Sequence, residues 1–215
     1  MNKLNDPLTE MIRRHRVIAI MRHLPDEQVE PVFSALADAG IRLIEITMNT
    51  SGAAEQISRV IGQFSDRMMI GAGTVSTPGR ARIALSAGAQ FLVTPNLDLE
   101  VIAMAKEHHC PIMPGVLTPT EMMAAIKAGV VTLKLFPASQ LGPAYVKDVL
   151  APLDDLNLVA VGGVTQDNAA EWINAGCIGV GMGSSLLDKD LMRVRNYAEI
   201  VRRTKIFIDS LYSTD

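Results

Sequence analysis

Lys134 lies within Thr132-Leu-Lys-Leu-Phe136, a run that otherwise has the composition of a buried strand. Side chains alternate along a strand, so Val131, Leu133 and Leu135 share one face while Thr132, Lys134 and Phe136 share the other. An ammonium buried there without a partner costs several kcal/mol. The chain escapes that cost if the amine reaches solvent, pairs with a carboxylate, or has its pKa lowered until it can act as a nucleophile.

Leu43-Ile-Glu-Ile-Thr-Met-Asn49 follows the same grammar. Ile44, Ile46 and Met48 fall on one side, and Leu43, Glu45, Thr47 and Asn49 on the other. Two apolar strands, each with a single ionisable residue in mid-run, predict one shared interior in which Lys134 and Glu45 tune one another's protonation. A purely structural Lys–Glu pair would add little stability, so the pairing points to chemistry.

The elements that must position these residues form one repeating unit. Apolar strands are predicted at Val17–Arg22, Leu43–Met48, Met68–Thr74, Phe91–Asn96, Pro111–Val116, Thr132–Pro137, Leu158–Val164 and Cys177–Gly183. Helical periodicity fills the spaces between, at Glu27–Ala39, Ala53–Phe64, Pro78–Ala87, Leu99–His108, Pro119–Ala128 and Gln166–Ala175. Four of these helices run into Ala-Gly, where glycine suits the left-handed residue that ends a helix. About eight strand–helix units match a single-domain (β/α)₈ TIM barrel at its compact end. A doubly wound open sheet is the alternative, but no Gly-x-Gly-x-x-Gly opens the first helix. A leading helix near residues 7–15 would close the barrel's lower end, and Leu187–Leu211 would be the last outer helix.

Composition narrows the class. The chain has 215 residues, is 48% hydrophobic but only 4% aromatic, and carries a net charge of −3. The core must be aliphatic, and there is no overall basic field for nucleic acid and no polybasic anchor for a membrane. Arg13-Arg14-His15-Arg16 is too short to change that and reads as a solvated or interface face. Met1–Pro7 has no apolar leader, and no run of roughly 18 apolar residues could span a bilayer. Cys110 and Cys177 offer neither a disulfide framework nor metal spacing, so a cytoplasmic location is expected and both should be small buried residues. Trp172 and Tyr145 fall in helical regions, where packing between helices or subunits explains them.

In a TIM barrel the reacting groups sit at the carboxyl ends of the strands. The inward residues there are Arg22, Glu45, Asn49, Thr74, Thr94, Pro95, Asn96, Pro114, Gly115, Lys134, Phe136, Gly162, Gly163 and Gly183. His15, His23, His108 and His109 lie elsewhere, so no metal site is expected beyond one carboxylate with waters. Val161-Gly-Gly-Val164 and Gly181-Met-Gly-Ser-Ser185 end the last two strands, where such barrels cradle phosphate. Main-chain N–H groups and the Ser184 hydroxyl could surround the anion there, although tight turns alone would also use glycine. In Ile70-Gly-Ala-Gly-Thr74, small residues open the barrel centre and let Thr74 reach inward.

An amine, a nearby carboxyl, no metal and a phosphate cradle suit a Schiff-base aldolase with no cofactor. Lys134 would attack a ketone, Glu45 would shuttle protons, and the Arg22 fork would hold a carboxylate. Glu45-Ile-Thr-Met-Asn-Thr50, Gly71-Ala-Gly-Thr-Val75, Val93-Thr-Pro-Asn96, Pro114-Gly-Val-Leu-Thr118 and Leu133-Lys-Leu-Phe-Pro137 together resemble the 2-keto-3-deoxy-6-phosphogluconate aldolase family. With Val161–Val164 and Gly181–Ser184 the resemblance spans nearly the whole chain. It implies a class I, pyruvate-forming aldolase in a trimer of barrels, acting on a keto-deoxy sugar phosphate. It further implies Lys134 as the Schiff-base lysine, Glu45 as acid/base, Thr74 at the pyruvate end, and Gly162, Gly163 and Ser184 at phosphate.

Asn49 stands where the phosphogluconate members carry arginine. There, and in Gly142–Lys147 and Trp172–Gly176, the chain resembles the 2-dehydro-3-deoxy-6-phosphogalactonate branch more closely. Loss of that arginine moves carboxylate binding onto Arg22. A sugar-phosphate isomerase or epimerase with an electrostatic Lys134 is a second reading, and a non-enzymatic phosphate-binding protein a third.

Overall fold

Parallel strands buried on both faces read as continuous apolar runs, and these runs form a closed wall in the computed structural model, which describes residues 6–212. The expectation for Met1–Pro7 falls mostly on residues 1–5, outside the described residues. The strands are β1 (Val17–Met21), β2 (Leu43–Thr47), β3 (Met69–Gly73), β4 (Leu92–Val93), β5 (Ile112–Met113), β6 (Gly115–Val116), β7 (Thr132–Leu135), β8 (Asn157–Val161) and β9 (Gly179–Met182). Their spatial order, β5-β4-β3-β2-β1-β9-β8-β7-β6, is parallel throughout.

The two ends of that order are halves of one strand. Ile112–Met113 pairs with β4, Gly115–Val116 pairs with β7, and Pro114 lies between them. Proline has no N–H to give the ladder, so the strand is interrupted there, while the Pro114 carbonyl still accepts from the Lys134 N–H at 2.9 Å. The barrel is therefore the eight-stranded TIM barrel with its fifth strand broken, and the unbroken strand Pro111–Val116 is corrected accordingly.

Helices α1 (Pro7–His15), α2 (Asp26–Asp38), α3 (Ala53–Phe64), α4 (Pro78–Ser86), α5 (Leu99–Glu107), α6 (Pro119–Lys127), α7 (Gly142–Leu150), α8 (Ala169–Asn174), α9 (Lys189–Arg193) and α10 (Tyr197–Tyr212) alternate with the wall. Gly40, Gly88, Gly129 and Gly176 all have φ between 85° and 112°, the conformation expected where Ala-Gly ends a helix. The tail departs from its reading as one helix: α9 stops before Arg195, whose φ of 54° breaks the helical path, and α10 starts afresh at Tyr197.

Two apolar clusters follow from the alternation. Ile44, Ile46, Leu133 and Leu135 pack outward under the helices. Ile18, Leu43, Phe91, Val93, Met113, Val159 and Val161 fill the barrel, joined from below by Leu8 and Ile12 of α1. Thr9 of α1 also meets Thr132, hydroxyl to hydroxyl at 2.6 Å, two residues below Lys134. Helix α1 thus closes the barrel beneath Lys134.

Cys177 is buried but Cys110 is only half-buried, which corrects the expectation for the latter. Burial pushes both thiols up to about 12, so neither is a reactive thiolate near neutral pH. Arg13 and Arg14 are solvent-exposed, while Arg16 bonds the Leu211 carbonyl and stacks on Tyr212, tying α10 to α1. Trp172 is buried on α8, and the Tyr145 hydroxyl donates to the Leu117 carbonyl at 2.5 Å. Among the described residues no helix is long and apolar enough to cross a membrane.

Candidate active site

Strand register brings Lys134 and Glu45 into one chamber. Glu45 pairs across the wall with Ile20 and Gly71, and Lys134 with Gly115 and Val159. Both are deeply buried, at 2% and 5% exposure, above an apolar floor. Burial raises the Glu45 carboxyl above its ordinary range, opposed by the positive charges of Lys134 and Arg22. Burial likewise lowers the Lys134 amine, opposed by Glu45 and reinforced by Arg22. The three groups therefore sense one another. No direct ion pair joins Glu45 and Lys134 among the described residues, so their coupling acts through space.

The neighbours shape that space. Lys134 Nζ sits 4.7 Å from the centre of the Phe136 ring, a favourable position for a cation and an apolar wall for a neutral amine. Gly73 admits Glu45, because a Cβ there would lie 2.5 Å from Glu45 Oε1. Gly115 serves the other side, where a Cβ would run into the Pro95 carbonyl. Pro95 is thereby held beside the strand that pairs with Lys134. Thr94 fixes this corner, its hydroxyl donating to the Asn96 carbonyl at 2.5 Å and accepting from the Gly115 N–H at 3.2 Å.

Gly162 and Gly163 have φ of 95° and 74°, and a Cβ on Gly162 would press on the Phe136 ring at 3.4 Å. The loop after β8 thus adjoins the Lys134 chamber. Ser185 ties it to the loop after β9, donating to the Val164 carbonyl at 2.7 Å and so bringing Gly162 and Gly163 towards Gly183 and Ser184. The main-chain N–H groups of Gly163 and Ser184 have no protein acceptor among the described residues, as an anion cradle requires. A cavity of about 550 Å³ opens between the ends of β1 and β9, lined by Ile20, Arg22, Gly183 and Ser184. Ile20 is also the strand neighbour of Glu45, although neither Glu45 nor Lys134 lines this cavity.

Arg22 is solvent-exposed just past β1, one residue beyond the end of the strand. Asn49 and Thr74 also lie past their strands. Asn49 is exposed in a turn, and Thr74 is half-buried with φ 55° and its carbonyl accepting from Arg80. Strands β2 and β3 end at Thr47 and Gly73, so strand alternation does not fix where the Asn49 and Thr74 side chains point. No group of three or more metal-ligating side chains occurs among the described residues. Thr50 and Gln56 were not singled out by sequence reasoning; both are buried and hold the Arg22 loop through contacts that no local motif announces.

A buried amine of lowered pKa beside a carboxyl of raised pKa can form and resolve an imine, and the fold is found where that chemistry occurs. A solved structure of KDPG aldolase from Legionella pneumophila, with pyruvate captured as a covalent carbinolamine intermediate, is 26% identical. It superposes with a TM-score of 0.87 over 94% of this chain and 98% of the other. A native KDPGal structure is 35% identical with a TM-score of 0.84, covering 92% of this chain and 94% of that one. The 2-dehydro-3-deoxy-6-phosphogalactonate aldolase of Escherichia coli K12 is 42% identical over 172 residues, 79% of this chain and 83% of the relative. With a family profile matching residues 8–203, the chain belongs to the KDPG and KHG aldolase family.

Proposed function

We propose that the protein is a metal-independent class I aldolase that cleaves 2-dehydro-3-deoxy-6-phosphogalactonate to pyruvate and glyceraldehyde 3-phosphate. The observation that carries this reading is the paired burial of Lys134 and Glu45 inside the barrel, with opposite displacements of their protonation. The neutral Lys134 amine adds to the C2 ketone, and loss of water gives a protonated imine. Glu45 removes the proton of the C4 hydroxyl, directly or through a water. The C3–C4 electron pair then passes into the imine, releasing the aldehyde and leaving a neutral enamine. Protonation at C3 and hydrolysis free pyruvate and restore the amine.

The other residues bind and orient. Arg22 holds the C1 carboxylate, with Thr74 and Asn49 at the same end, and Pro95 and Phe136 wall the imine. Gly162, Gly163, Gly183 and Ser184 receive the phosphate. The protein is a single-domain barrel that works as a homotrimer in the cytoplasm. The 42% identity to a phosphogalactonate aldolase and the Asn49 substitution both support the galactonate epimer.

The gluconate epimer and 4-hydroxy-2-oxoglutarate form the second reading, favoured by the family profile, which covers both activities. Turnover on the two C4 epimers separates the readings. We expect kcat/KM at least about tenfold higher for the galactonate, the scale of one correctly placed hydroxyl contact. The reverse ratio assigns the enzyme to the gluconate.

Gly73→Ala tests the geometry. A methyl group 2.5 Å from the Glu45 carboxylate oxygen must displace it. We expect kcat to fall about 10- to 100-fold with the circular-dichroism spectrum unchanged, since small misplacements of a catalytic group have effects of that order. An alanine variant with wild-type kcat would show that Glu45 needs no fixed position.

A further inference from the structure

The loop carrying Arg22 is short and bent. β1 ends at Met21, His23 has φ 53°, and α2 begins at Asp26. A histidine in the left-handed region is strained and persists only where its surroundings hold it. Two side chains from the β2–α3 segment do so. The His23 N–H donates to Thr50 Oγ1 at 3.0 Å, and Gln56 Nε2 donates to the Leu24 carbonyl at 3.4 Å. Thr50 Oγ1 is itself 3.1 Å from Thr47 Oγ1, and Thr47 lies two residues beyond Glu45 on the same inward face.

These polar groups are buried, Thr47 completely and Thr50 and Gln56 at 8% and 2% exposure. Buried hydroxyls and amides are retained where they satisfy a partner; here Thr50 and Gln56 meet the main chain of the bend, Gln56 also reaches Asp26, and Thr47 backs Thr50. Arg22, by contrast, is exposed and has a long side chain with many rotamers, so its direction depends on the backbone beneath it. The strand that carries Glu45 therefore also sets the base of Arg22.

We infer that Thr50, backed by Thr47 and Gln56, is a positioning residue that pins the His23 main chain and so aims the Arg22 guanidinium at the substrate carboxylate. This rests on the aldolase reading above. It adds that the spacing between the acid/base group and the carboxylate anchor is set by one latch between β2 and the β1–α2 loop. Arg22 lowers the Lys134 amine and opposes the rise of Glu45, so a released Arg22 should register in the pH profile as well as in binding.

The test is steady-state kinetics on the intact chain with three variants. Thr50→Val keeps the shape and deletes the hydroxyl, Thr50→Ser keeps the hydroxyl, and Arg22→Ala removes the group being aimed. For Thr50→Val we expect KM to rise about tenfold, the scale of a weakened charge-assisted contact, while kcat falls far less. The limb on which Lys134 loses its proton should move to higher pH, because the cation that lowers it has drawn away. Thr50→Ser should restore both values, and Thr50→Val should have no further effect in the Arg22→Ala background.

A Thr50→Val enzyme with wild-type KM and pH profile and only reduced thermal stability overturns the inference, as do effects of Thr50→Val and Arg22→Ala that multiply. Should Thr50→Val not fold, Gln56→Leu loosens the same loop, and an unchanged KM there overturns it equally. If the wild type forms no borohydride-stable adduct with pyruvate, the aldolase reading fails, and hydrogen exchange at the His23 amide decides the latch. Exchange about fivefold or more faster in Thr50→Val than in wild type and Thr50→Ser supports it, and equal rates refute it.

Discussion

Replacing Lys134 with methionine is expected to lower kcat by at least about 10⁴-fold, because the reaction then has no nucleophile and no imine to take up the electrons of the breaking bond. Arginine at this position should fail as completely, since a guanidinium does not give up its proton. The fold should survive in the methionine variant, whose side chain fills similar space among apolar neighbours, with circular dichroism as the check.

Linkage adds a signature with a definite sign. The folded chain holds the Lys134 amine below its ordinary 10.5, so between that lowered value and 10.5 the unfolded chain binds more protons than the folded one. Wild-type stability should therefore rise with pH across that window. The contribution of Lys134 is complete above 10.5 and is lost as pH falls through the folded value. Urea titrations of the methionine variant should lack this slope.

Glu45→Gln is expected to lower kcat by about 10³-fold, within the range for loss of a general acid/base, while pyruvate still condenses with Lys134. The amide keeps the shape of the carboxyl but cannot accept the C4 hydroxyl proton. The negative charge of Glu45 also raises the Lys134 amine, so its removal should shift the limb on which Lys134 loses its proton to lower pH. Single-turnover mixing, which separates imine formation from cleavage, checks both parts. A variant cleaving substrate at the wild-type rate would remove Glu45 from the proton path.

Much of this architecture was legible because apolar strands tolerate few ionisable residues. Lys134 and Glu45 each interrupt an otherwise aliphatic run, and alternation alone places them on the inward faces of β7 and β2, where they lie in the structure. The barrel was legible from about eight repeated strand–helix units, and the four Ala-Gly helix ends all have glycine in the left-handed conformation. The glycine pairs after β8 and β9 marked the loops that Ser185 ties together.

What was not legible depends on contacts distant in sequence or on single backbone angles. Pro114 reads equally well as part of a strand or as its interruption until the neighbours on each side are known. Periodicity continues through Arg195, although its backbone turns left-handed and splits the tail into two helices. Asn49 and Thr74 lie past the last residues of β2 and β3, where strand alternation no longer fixes a side chain's direction. The Thr50–His23 contact spans 27 residues and has no periodic or compositional sign.

The central claim is a covalent one, so the most direct measurement is the mass of the intact chain after incubation with pyruvate and borohydride. A gain of about 72 Da, the reduced pyruvyl imine, mapped to the peptide containing Lys134 and absent from the methionine variant, is the expected result. An unchanged wild-type mass, or an adduct that survives loss of Lys134, would contradict it.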